Sequence, residues 1–210
     1  IASEFMTRQQ YIDCWMFSWI ILHFHHYAWA QLLARFARKH NNISYLQFYE
    51  DLFKQCISKD PFFMELYDRQ EAELKSFFWN TASDTVFDND NVIVVLNQIE
   101  WHENRDKVQK IITNWATEYF KNLEDDLLQE LLQMNKLWVT NMERHDVHEE
   151  MFKYNIPDYI VGEQELTKTP VTYKFSNKYH WPNNKDFKDK LFYKNRNGFS
   201  IQKIERVNNA

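Results

Sequence analysis

A chain of 210 residues has room for one compact domain or two small ones, and can bury a core without disulfide staples. Its composition, 44% hydrophobic, 17% aromatic and 26% charged, is too rich in large apolar side chains for a disordered chain and too charged for a membrane bundle. With only 2 Gly and 4 Pro, a glycine-rich dinucleotide loop and a P-loop are excluded and a many-stranded β architecture is disfavoured; a net charge of -5 argues against a nucleic-acid binder. Cys14 and Cys56 cannot by themselves form a four-ligand zinc or Fe–S site, and no secretory signal points to an oxidising compartment, so both read as reduced thiols of a soluble, cytoplasmic protein.

Ile1-Ala2-Ser3-Glu4-Phe5 reads as a translated cloning scar ahead of Met6. One helical domain is expected over residues 6–207, with a helical core over 6–138 and an irregular α+β tail over 139–207. Thr7-Arg8-Gln9-Gln10 has the pattern of a capping box and opens a predicted helix to about Lys39. From Cys14 to Ala34 no residue is formally charged and apolar positions cover every face, a length that permits a membrane span. His23, His25, His26, Ser18 and Gln31 in the middle of the run are expensive in lipid, so the segment reads instead as the central buried helix of a mainly α fold.

Asn41-Asn42 breaks that helix, and Ser44-Tyr45-Leu46-Gln47 caps a second one to about Ser58. Asp60-Pro61 starts a third, to about Trp79, with Asp as cap and Pro at a first-turn position. Thr81–Asn91 reads as an acidic surface loop, and Val92–Leu96 fits either a buried strand or a helix start. Helices are predicted over Asn104–Lys121 and Leu123–Trp138. The tail is predicted to hold a short helix at Val147–Phe152, an extended Tyr154–Tyr159 around Pro157, a strand at Val171–Ser176 and a helix at Asp186–Asn195. An Asn197-Gly198 turn then leads into a strand over Phe199–Val207, and the two strands pair as a small two-stranded sheet.

Three clusters carry possible chemistry. His23 and His26 lie three apart on one helix face, as two metal ligands would, with His25 turned elsewhere; interior hydrogen bonding is the simpler role and substrate contact the sharper one. Glu143–Glu150 concentrates charge, and a helix there would bring His145, His148 and Glu149 together as weak metal candidates, although a solvated charge run has the same pattern. Ile99-Glu100-Trp101-His102-Glu103 sets carboxyls beside an indole; Glu100 or Glu103 could act as an acid or base if buried there, and Glu103 could instead simply favour the N-terminus of the next helix. No Ser, Cys and His arrangement has the spacing of a nucleophilic hydrolase. The aromatic density of Trp15, Trp19, Phe24, Tyr27, Trp29 and Phe36 is first a core, and also suits a groove for a sugar, a planar cofactor or a partner helix.

The order of these segments resembles the region that follows the radical core in cobalamin-binding radical SAM proteins, especially those of surface-polysaccharide gene clusters. The resemblance is carried by Met6-Thr7-Arg8-Gln9-Gln10-Tyr11, Phe24-His25-His26, Ile43-Ser44-Tyr45-Leu46-Gln47-Phe48-Tyr49-Glu50, Ile99-Glu100-Trp101-His102-Glu103, Leu132-Gln133-Met134-Asn135 and Tyr154-Asn155-Ile156-Pro157-Asp158-Tyr159-Ile160. It is spread over most of residues 6–207, and no single motif in it is specific. The catalytic half of that family carries Cys-x-x-x-Cys-x-x-Cys, and two cysteines cannot supply it, so no catalytic residue carries over. The resemblance therefore implies a non-catalytic C-terminal accessory domain that positions substrate, a small molecule or sugar, against a radical SAM catalytic domain in cis or in trans. The [4Fe-4S] cluster, S-adenosylmethionine and cobalamin would be held by that partner and none by this chain. Its substrate-facing candidates are His23, His25, His26, Trp29, Trp101 and Glu103. Two other readings stay open: an autonomous helical interaction module, and a stand-alone helical enzyme using a His/Glu cluster.

Overall fold

The structure, a computed structural model, describes residues 6–79, 90–139, 147–162, 164–176 and 203–207, without the side chains of 77–79, 90–96 and 203. Helix α1 (Arg8–Ile20) starts with the expected reciprocal cap: Gln10 N–H donates to Thr7 Oγ1 at 3.2 Å and Thr7 N–H to Gln10 Oε1 at 2.8 Å. Ile12 and Met16, four apart and thus on one face, pack with Leu74 in a small cluster of their own.

The expected continuous helix to Lys39 is interrupted. A π-helical turn (Ile21–His26) follows α1, and residues 27–30 leave the helix before α2 (Gln31–Asn41) begins. Tyr27 N–H donates to Leu22 O at 2.9 Å and Ala30 N–H to Phe24 O at 2.8 Å, so the ladder steps past the α-helical i−4 carbonyl, and Ala28 turns the chain at φ 69°. The centre of the fold consequently moves to α2, where Gln31–Ala34, Phe36 and Ala37 are all buried, while α1 keeps one face in solvent. Asn42, at φ 56°, ends α2 in the left-handed conformation that Asn tolerates.

Ser44 caps α3 (Tyr45–Gln55) by accepting from Gln47 N–H at 3.1 Å, and Asp60 Oδ1 accepts from Phe62 N–H at 3.0 Å where α4 (Pro61–Trp79) starts. The ambiguous Val92–Leu96 run is helical, inside α5 (Asp90–Glu103). Helices α6 (Arg105–Tyr119) and α7 (Asp125–Trp138) follow, the latter burying Leu127, Leu128, Leu131 and Leu132.

The tail departs from expectation in two places. The predicted helix at Val147–Phe152 is a strand, β1 (His148–Phe152): Phe152 is buried, His148 and Glu150 on its side of the strand are half-buried, and Glu149 and Met151 face solvent. The predicted extended Tyr154–Tyr159 is largely helix, α8 (Ile156–Val161), because a proline in the first turn needs no N–H partner. Strand β2 (Val171–Ser176) pairs antiparallel with β3 (Lys203–Arg206) in the expected way, Tyr173 opposite Arg206, and β1 adds a third strand on the other edge, in the order β1-β2-β3. Val171, Tyr173 and Phe175 face inward and join the same hydrophobic core as Trp29, Phe36 and Trp101. The Lys39 ammonium fastens the two parts, donating to Gly162 O at 2.7 Å and to Tyr159 O at the end of α8. The expected Asp186–Asn195 helix, the Asn197-Gly198 turn, residues 1–5, nearly all of the Thr81–Asn91 loop and Glu143–Asp146 lie outside the described residues. Among the described residues no helix is long and apolar enough to cross a membrane.

Candidate functional site

The π-helical turn gathers the histidines. Such turns are rare and concentrate at functional sites, and a non-glycine residue at positive φ two residues later costs about 1–2 kcal/mol, which the surrounding contacts must offset. His23 is fully buried. Its Nδ1 lies 2.8 Å from Trp19 O, and its ring sits 4.4 Å from the Trp19 ring and 5.1 Å from that of Trp101. Burial pushes its pKa down to about 3, only partly opposed by the Trp19 carbonyl, so the ring is neutral. Since a carbonyl oxygen only accepts, Nδ1 carries the proton and Nε2 presents a lone pair.

His25 is half-buried, with Nδ1 2.8 Å from the Tyr49 hydroxyl and its ring edge-on to Tyr45 and Tyr49. Its pKa is lowered by burial first, then by Arg35 and His26. His26 is exposed, its ring edge-on to Tyr27. The turn thus separates its three imidazoles radially, from interior to surface.

Trp29 and Trp101 are fully buried and meet edge-on at 5.7 Å. Trp29 Nε1–H donates to Gln98 Oε1 at 3.1 Å, and Trp29 O accepts from Asn135 Nδ2 at 3.0 Å. Trp101 also touches Phe24 and Phe63, at 4.9 and 5.1 Å. His102 packs 5.1 Å from Trp29, its pKa lowered to about 3 by burial and then by Arg105. Glu103 lies exposed at the end of α5, away from this interior, and α6 starts at Arg105 with no side-chain cap from Asn104 before it. Of the six substrate-facing candidates the structure brings His23, Trp29 and Trp101 into one aromatic interior; it leaves His25 at its margin and His26 and Glu103 in solvent.

The second cluster is not assembled as a helix would assemble it. On β1, His148 Nε2 lies 2.9 Å from Glu150 Oε2, Glu150 Oε1 accepts from Gln133 Nε2 at 3.1 Å, and Glu149 points to the opposite face, level with Lys174. His145 lies outside the described residues. Among the described residues no three His, Cys, Asp or Glu side chains group as a metal ligand set.

Buried amides are what sequence reasoning missed. Gln31 holds the turn from both ends of its side chain: Nε2 donates to His25 O at 3.1 Å and Oε1 accepts from Trp138 Nε1–H at 3.0 Å. Asn97 Oδ1 accepts from Arg69 at 3.0 Å, and Gln98 supports Trp29. The signal for them was an amide inside an apolar run, Gln31 after Trp29-Ala30 and Asn97-Gln98 after Val92–Leu96. Near the sheet, Asp158 Oδ2 accepts from the Tyr173 hydroxyl at 2.9 Å and from Arg206 at 3.1 Å, and all three line an open pocket of about 260 Å³ together with Trp138 and Pro157. No protein-family model matches this chain, and no curated protein does.

Proposed function

We propose that this chain is a non-catalytic positioning domain that docks on a partner through the outer face of α1 and the π-helical turn. The observation that carries the reading is the chemistry of that face. Tyr11 and Trp15 are exposed and stacked, ring centroids 6.5 Å apart at 25°; Cys14 and Ser18 are exposed beside them, half-buried Leu22 continues the same stripe, and His26 ends it. From Cys14 to His26 this surface has no charged residue, whereas a helix face that only meets water is usually charged, and aromatic residues are enriched where proteins bind one another.

The resemblance described above supplies the occupant: the catalytic half of a cobalamin-dependent radical SAM enzyme, cytoplasmic, which would hold the [4Fe-4S] cluster, S-adenosylmethionine and cobalamin. His26 and the half-buried His25, at the end of the docking stripe, would then face the partner's opening and its small-molecule or sugar substrate. The alternative, an autonomous interaction module, would use the same face for a different partner.

The test is co-elution of this chain with such a catalytic half on size exclusion. A complex that forms with the wild type and is lost in Trp15→Glu, with an unchanged melting temperature, supports the reading. Separate elution of the wild type overturns the assigned partner, and a complex that Trp15→Glu leaves intact overturns the assigned face.

A further inference from the structure

Between Asp13 and Glu50 the sequence has no carboxylate at all, in a chain whose net charge is -5. The stretch carries Arg35, Arg38, Lys39 and four histidines, and it builds most of α1, the π-helical turn, all of α2 and the start of α3. Lys39 is engaged by the carbonyls of Tyr159 and Gly162. Arg35 and Arg38 are not so engaged, and among the described residues neither guanidinium has a hydrogen bond or an ion pair. Arg38 is exposed, but Arg35 is half-buried. The other half-buried arginine among the described residues, Arg105, donates to Lys136 O at 3.1 Å and Val139 O at 3.0 Å, which is the usual state of a guanidinium partly withdrawn from water.

The two arginines, three apart on α2, share a face. Arg38 Cζ lies 4.9 Å from the centroid of the Tyr45 ring, and the His25 ring meets that same ring edge-on at 5.3 Å. Guanidinium and imidazole are thus neighbours across one phenol ring, a separation that a phosphate bonded at about 2.8 Å on each side spans, and the exposed Arg38 is free to swing toward it. Arg35 lies close enough to act on the same group: after burial, its charge is the next cause of the lowered His25 pKa, and it acts also on the buried Tyr49, whose hydroxyl lies 2.8 Å from His25 Nδ1. The first carboxylates of α3, Glu50 and Asp51, are already bonded, to Lys54 at 3.0 Å and to Tyr119 at 3.2 Å. Like charges gathered without a counter-charge raise the free energy of the fold, and a bound anion lowers it.

We propose that Arg35, Arg38 and His25, around the Tyr45 ring, form a binding site for the phosphate group of a small molecule. Guanidinium groups match phosphate in shape, with two planar forks for its several acceptor oxygens, and a dianion balances both charges where a carboxylate balances one. Protonated His25 donates through both nitrogens, so with Nδ1–H given to the Tyr49 oxygen, Nε2–H is left for the anion. The site forms within this chain alone. It rests on the docking reading above only for the source of the phosphate: if both hold, the molecule presented to the partner at His25 is a phosphorylated one.

The experiment is a nuclear magnetic resonance titration of the full chain with inorganic phosphate, against sodium chloride and sodium acetate at equal ionic strength. The His25 ring protons should shift saturably in phosphate, and the His25 pKa should rise by about half a unit or more, because a neighbouring anion favours the imidazolium. Arg35→Gln and Arg38→Gln should each weaken binding by about tenfold. Arg8→Gln, an exposed arginine at the start of α1, should bind as the wild type does. A shift that chloride reproduces is screening, one that acetate reproduces equally is not phosphate recognition, and either overturns the proposal, as does affinity unchanged in both Arg35→Gln and Arg38→Gln. Should Arg35→Gln not fold, the exposed Arg38→Gln decides. No partner is present in this titration, so its failure leaves the docking face standing, and failure of co-elution leaves the phosphate site standing.

Discussion

Acid should unfold this protein partly through His23. The residue is fully buried with a pKa lowered from 6.5 to about 3, whereas in the unfolded chain it titrates normally. The unfolded state therefore binds a proton that the folded state refuses. The stability that rests on the neutral ring is complete above about pH 6.5 and is lost as the pH falls toward about 3. Near pH 5 the unfolded imidazole lies about 1.5 pH units below its pKa and the folded one is still neutral, so the loss is about 2 kcal/mol. That figure holds for any folded-state pKa well below 5. Urea denaturation at about pH 7.5 and about pH 5, on the wild type and His23→Phe, isolates this share, because every other ionisable group is common to the two proteins. The variant should begin about 1 kcal/mol less stable for want of the bond to Trp19 O. It should then lose about 2 kcal/mol less than the wild type on acidification. Equal losses in the two proteins would refute the assignment of His23 as a buried neutral acceptor.

Trp101→Ala should cost about 3–5 kcal/mol, read by urea or thermal denaturation, because the ring is fully buried among Trp19, Phe24, Trp29 and Phe63. Glu130→Ala removes the carboxylate that accepts from Lys153 N–H at 2.6 Å and Tyr154 N–H at 2.9 Å, and should lower stability by about 2 kcal/mol in the same assay. Asn155 accepts from Thr167 N–H at 2.7 Å and donates to Glu165 O at 3.0 Å. Asn155→Ala should therefore speed amide exchange at Thr167 by roughly tenfold or more, with little change in the amides of α2.

The elements that announced themselves in the sequence did so through local chemistry. Thr7 with Gln10, Ser44 with Gln47 and Asp60-Pro61 mark helix starts because a side-chain oxygen three or so residues from an orphan N–H suffices, whatever the rest of the chain does. Alternation at Val171–Ser176 was legible for the same reason. The π-helical turn was hidden because a run apolar on every face has no register to read, so a slip in the hydrogen-bond ladder leaves no trace in hydropathy. Strand β1 was hidden because its charged residues, His148, Glu149 and Glu150, form a pattern a helix would share, and its pairing with β2 is a long-range event. At the site, aromatic density around Trp19 and Trp101 was visible, but the depth of each imidazole was not, since neighbours three residues apart on an α-helix sit at similar depth while the turn sends His23 inward and His26 outward.

The π-helical turn also sets the rotational phase between the first two helices. Each residue of an α-helix advances the chain by about 100° around its axis, so removing one residue from Ile21–His26 and letting the turn relax to α-helix would rotate α1 by about that angle relative to α2. Ile12 and Met16 would swing away from Leu74, and the Tyr11–Trp15 stack would sweep across a different quadrant of the surface. Six residues thus act as the gear that decides which side of α1 the rest of the molecule meets and which side it presents.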